Sequence, residues 1–172
     1  MRKYTYVLVA ATAFFLAACE HYGATGADRN TVPVNAAVTI AEDGSGGYVF
    51  SYKAPFADEQ GNFDFSQKGA AFNTIKLTFT IADGSVPGIA FQPAATDAIW
   101  IVEKANVDAT TGSPRGPYRG NVFSDFQLSA DGRSLTVTNQ NDDGVRYRYG
   151  LRFDLNGKLV IDDPDMGNGG GH

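Results

Sequence analysis

The sequence predicts an all-β domain, an antiparallel β-sandwich of about eight or nine strands, with a small β-barrel as the alternative. Three observations predict it. Apolar residues alternate with polar ones over several runs, the period of a half-buried strand. Asp-Gly and Asn-Gly dipeptides punctuate those runs, and they supply the positive φ that tight turns demand. No stretch beyond residue 19 carries a sustained helical period.

The elements follow in chain order. Residues 37–41 and 47–53 flank the turn Glu42-Asp43-Gly44-Ser45-Gly46. Residues 74–82 set Ile75, Leu77, Phe79 and Ile81 against Lys76, Thr78 and Thr80. Asp83-Gly84 then turns into a strand over 86–91. Residues 98–103 carry the continuous apolar run Ile99-Trp100-Ile101-Val102, which suits a strand covered on both faces. Residues 121–129, 134–140, 145–155 and 159–162 read as four consecutive strands of a meander. The turns between them are Ala130-Asp131-Gly132-Arg133, Asn141-Asp142-Asp143-Gly144 and Asn156-Gly157. The third strand of that meander is the most regular in the chain. Val145, Tyr147, Tyr149, Leu151, Phe153 and Leu155 face inward, and Arg146, Arg148, Gly150, Arg152 and Asp154 face outward.

The first residues have a different character. Arg2 and Lys3 precede a mostly apolar run from Val7 to Leu16, then Ala17, Ala18 and the one cysteine of the chain, Cys19. Charged, apolar and small-residue regions in that order make a secretory signal peptide. The run is too short for a spanning helix, which needs roughly 20 apolar residues. Leu16-Ala17-Ala18-Cys19 resembles the lipobox of bacterial lipoproteins. The resemblance implies cleavage before Cys19, acylation of Cys19 by palmitate-type chains, and a lipid-anchored protein of the bacterial cell envelope. In that family Asp after the cysteine favours retention in the inner membrane. Glu20 at this position implies the outer membrane, with the domain facing the periplasm. The expected organisation is a signal peptide over 1–18, a lipidated N-terminus and flexible tether over 19–34, one sandwich domain over 35–162, and a flexible Gly-rich tail over 163–172.

Composition narrows the function. The formal net charge is −5, and loss of Arg2 and Lys3 makes it more negative, which opposes nucleic acid as a partner. The only histidines, His21 and His172, sit beside the anchor and at the chain end, so neither a Ser-His-Asp triad nor a zinc site is expected. Asn139, Asn141, Asp143 and Gly144 match the first half of a calcium loop, but the twelfth position is Gly150, where a bidentate Glu is needed. No metal or other cofactor is expected.

Two features suggest binding. The segment 105–120 is long for a connector and carries Arg115, Tyr118 and Arg119, residue types enriched in binding hot spots. Arg146, Arg148 and Arg152 form a stripe on one strand face that could grip an anionic glycan or an acidic protein patch. The expected role is therefore a binding or structural module for an envelope protein or polysaccharide. A small carboxylate-dependent glycan hydrolase or lyase is the alternative, with Asp142, Asp143, Asp162, Asp163 and Asp165 as its acidic clusters.

Overall fold

A computed structural model describes residues 29–170. Among the described residues, eleven strands form two sheets. They are β1 (Thr31–Glu42), β2 (Tyr48–Lys53), β3 (Phe63–Asp64), β4 (Thr74–Ile81), β5 (Ile89–Phe91), β6 (Ile99–Glu103), β7 (Phe123–Leu128), β8 (Ser134–Asn139), β9 (Arg146–Leu155), β10 (Lys158–Asp162) and β11 (Asp165–Gly167). The first sheet has the order β2-β1-β4-β8-β7. The second is built on β9, with β5 and β6 along one edge, β10 and β11 along the other, and β3 outside β11. The architecture is sandwich-like, without a closed barrel.

Aromatic side chains of β9 join the two sheets. Tyr147 meets Phe123 of β7 edge-on at 4.9 Å, Tyr149 meets Phe79 of β4 at 5.6 Å, and Phe153 meets Phe50 of β2 at 5.9 Å. The alternation in β9 therefore places its aromatic rings where the opposite sheet supplies partners. Burying each large apolar side chain contributes about 1.5–3 kcal/mol.

The structure corrects several expectations. The sheets are mixed, because β1 runs parallel to β4 and β11 parallel to β3. The chain reaches β4 from β2 through a long excursion, residues 54–73, that places β3 in the other sheet, and such a crossover makes parallel pairing possible. The four-strand meander is instead two hairpins in different sheets, β7–β8 and β9–β10. Asn141 to Gly144 carries the chain from one sheet to the other, and the segment around Asp83-Gly84 does the same between β4 and β5. Turn chemistry specifies a local reversal. It does not specify which sheet receives the next strand.

Strands take in residues 31–34 of the expected tether, whose residues 19–28 lie outside the described residues, and residues 165–167 of the expected tail. Thr31 already pairs with Thr74, and Val34 is fully buried. Pro33 is tolerated because Asn30 O faces β4, where it accepts Thr74 N, so the period of two turns residue 33 away from β4, on the side where β2 has not yet begun. At the other end, Met166 is fully buried in β11 and Asn168 is buried beyond it. Two short helical turns, α1 (Ala95–Ala98) and a 3₁₀ turn at Lys104–Asn106, flank β6. In β6 only Ile99 and Ile101 are buried, so this strand has one covered face where the sequence suggested two.

Candidate binding groove

Residues 107–122 connect β6 and its 3₁₀ turn to β7, crossing from one sheet to the other. Asp108 organises the first half of this loop. Its Oδ1 accepts the N–H of Thr110 at 2.7 Å and of Thr111 at 3.0 Å, and its Oδ2 accepts from Arg115 Nε. The main chain closes at the same place, with Gly112 N donating to Asp108 O at 2.7 Å. Gly112 sits at φ +70, a conformation that a side chain would strain. Ser113 Oγ then donates to Asp163 Oδ2 at 2.5 Å and ties the loop to the segment between β10 and β11. In the second half, the Tyr118 ring packs edge-on against Phe123 at 5.0 Å, and its hydroxyl accepts Val122 N–H at 3.0 Å. The loop is thus held at three points, Asp108, Ser113 and Tyr118, although it has no regular secondary structure.

Between the loop and β6 lies a groove of about 450 Å³. One wall is the run from Arg115 to Gly120, and the other is Ile101, Val102, Glu103 and Asn106, with Tyr147 between them. The three residues singled out in the loop have different roles. Arg115 is bound to Asp108, Tyr118 is half-buried as a packing residue, and Arg119 is exposed with no ion pair among the described residues. Glu103, Asn106 and Tyr147 were not identified from sequence. They belong to strands and turns whose meeting depends on the long-range β6–β9 pairing, which places Glu103 opposite Tyr147.

The Arg115 guanidinium, with the two loop N–H groups, pulls the Asp108 carboxyl down to about 2. A carboxyl lowered by folding contributes its stabilisation above its unfolded value near 3.8 and loses it as pH falls toward 2. Acidification from pH 4 to pH 2 is expected to release this clasp. Protection of the Thr110 and Thr111 amides, taken relative to their intrinsic exchange at each pH, should fall over that interval, and Asp108→Asn should remove the dependence.

The arginine stripe does not survive as one surface. Arg148 Nη1 donates to Asp163 O at 2.5 Å, and its Nε lies 2.9 Å from Asp165 Oδ1, an ion pair whose N–H is not aimed at the oxygen. Arg152 lies 3.6 Å above the Trp100 ring and donates Nε to Asp97 O at 3.0 Å. Only Arg146 is exposed. It lines a second cleft, of about 650 Å³, with Asp58, Asn62, Asp64 and Asp165.

That cleft concentrates carboxylates, and two of them, Asp58 and Asp64, are held below their ordinary values. Burial works against ionisation of Asp58, yet bonds from the Asn62 side chain and the loop N–H groups outweigh it and hold the carboxyl below its ordinary value. The Ser66 hydroxyl does the same for Asp64. A glycosidase acid needs a raised value. Burial raises Asp162, but its Oδ2 accepts from Tyr52 at 2.5 Å, and it lines neither the groove nor the cleft. Asn139 and Asn141 of the partial calcium loop are fully buried and bonded to protein groups.

Cys19 and the lipobox lie outside the described residues. Among the described residues, no helix is long and apolar enough to cross a membrane. No known protein family matches the chain, and no curated protein matches it at a significant level.

Proposed function

We propose that this protein is a lipid-anchored cell-envelope module that binds an envelope protein or polysaccharide through the groove between residues 115–120 and β6. The observation that carries the reading is the construction of the loop. Asp108, Ser113 and Tyr118 fasten it to itself and to the sandwich, while Arg119 stays exposed on the groove wall. A loop ordered in advance loses less conformational freedom on binding. The mixed lining of Arg119, Glu103 and Asn106 suits a polar or zwitterionic ligand better than an apolar one.

The start of the described chain supports the same reading. Arg29 Nη1 bonds Asp142 Oδ2 at 2.8 Å and Gln140 O at 3.3 Å, and Gln140 N bonds Val122 O at 2.8 Å. The groove and the entry of β1 therefore share one end of the sandwich. The chain from Cys19 to Arg29 reaches at most about 35 Å when extended, so acyl chains on Cys19 would keep the groove near the membrane surface.

Anchoring is tested by labelling cells with an alkyne analogue of palmitate. The protein should take up label and sediment with membranes, and Cys19→Ser should lose both properties. An unlabelled wild-type protein would refute the anchor. Binding through the groove is tested by photo-cross-linking from position 119, with Lys76 on the outer face of β4 as the control.

A further inference from the structure

Among the described residues, strand β10 ends the second sheet without a neighbour on its outer side. Among the described residues it pairs only with β9, and β3 continues the sheet beside β11 but not beside β10. Arg152 O is turned toward Gln92 N at 3.0 Å, away from β10. Ile161, opposite Arg152, is therefore a wide-pair residue whose N–H and C=O face the open edge, and by the period of two so is Leu159. These two side chains are also 41% and 46% exposed, among the few large apolar residues that remain in water. A bare, apolar edge of this kind is a template for another strand.

We propose that β10 pairs with β10 of a second copy of this chain, antiparallel about a two-fold axis at Val160. The strand is self-complementary in that register. Leu159 falls opposite Ile161 of the second copy, and each such pair would exchange both main-chain hydrogen bonds. Lys158, which lies over the Tyr48 ring, falls opposite Asp162 of the second copy, whose Oδ2 accepts from Tyr52, so opposite charges still meet at both ends of the pair. An isologous contact closes on itself and uses up the β10 edge of both copies. The proposal is independent of the groove.

The test uses the full-length protein in its membrane, with two differently tagged copies expressed together. One carries Leu159→Cys and the other Ile161→Cys. Cα atoms of a hydrogen-bonded antiparallel pair are about 5.5 Å apart, within disulfide range. Oxidation should link the mixed tags. Either variant alone should give much less product, because a residue and its own symmetry mate are offset diagonally. The unsubstituted chain measures any background from Cys19. Ile161→Lys should abolish co-purification of the two tags while leaving the circular dichroism of the protein unchanged. Equal product from all pairings, no product from the mixed pair, or an undiminished pair with Ile161→Lys would overturn the proposal.

Discussion

Asn141→Ala is expected to cost about 3–5 kcal/mol of folding stability, the combined effect of several buried polar groups left without partners. Asn141 is fully buried where β8 hands the chain to the other sheet. Its Nδ2 is shared among Phe65 O at 3.3 Å, Ala70 O at 2.9 Å and Asn73 O at 3.3 Å, and its Oδ1 accepts Gly169 N at 2.6 Å. One amide thus satisfies groups from the excursion that carries β3 and from the C-terminal segment. Alanine would leave these buried groups without the partner that satisfies them. Asn141 also sits at φ +52, a conformation that Asn tolerates better than most residues. Asn141→Gly separates the two effects. If the bonds dominate, glycine should be nearly as destabilising as alanine in urea unfolding. A glycine variant close to wild type would assign the residue to backbone conformation instead.

The second large effect is expected at Phe153. Its ring stacks on Phe91 of β5 at 4.8 Å and on Phe50 of β2 at 5.9 Å, so it packs within its own sheet and across to the other. It is fully buried. Phe153→Ala removes both stacks and leaves a cavity that close-packed neighbours fill only in part, a loss of about 3–5 kcal/mol. Phe153→Leu keeps most of the volume and should recover a large share. Urea midpoints of the two variants measure the difference, and an unchanged slope would show that unfolding remains one transition. Equal losses would place the effect in aromatic stacking and not in volume.

The sandwich was legible because its strongest signal is local. The inward side chains of β9, Tyr147, Tyr149, Leu151 and Phe153, are all buried, as their alternation requires. The same is true of Ile75, Leu77, Phe79 and Ile81 in β4. What was not legible depends on contacts distant in sequence. Asp165-Met166-Gly167 has weak strand propensity and becomes a strand because Met166 enters the core between β9 and β3. Asn168 looked like part of a loose tail. It exchanges amide bonds with Asn139, at 2.8 and 3.2 Å, and that pair closes the interior at the sheet crossover. No periodic pattern announces such a partnership.

The groove shows the same division. A long loop with arginine and tyrosine was visible from residue types alone, but the roles within it were not. Arg115, a candidate binding residue by its type, fastens the loop through Asp108. Tyr118 looked like a contact residue and instead packs on Phe123. The arginine stripe was correctly placed on the outer face of β9. Its dispersal depends on Asp97, Trp100, Asp163 and Asp165, which reach it through tertiary pairing.

The most direct measurement is photo-cross-linking in intact cells, with the probe replacing Arg119 in one strain and Lys76 in another. Arg119 is exposed and makes no ion pair among the described residues, so the substitution is expected to leave the loop intact. A discrete product from position 119 and none from position 76, reduced by Asp108→Asn, is the expected result. The same products from both positions, or none from position 119, would contradict a binding role for the groove.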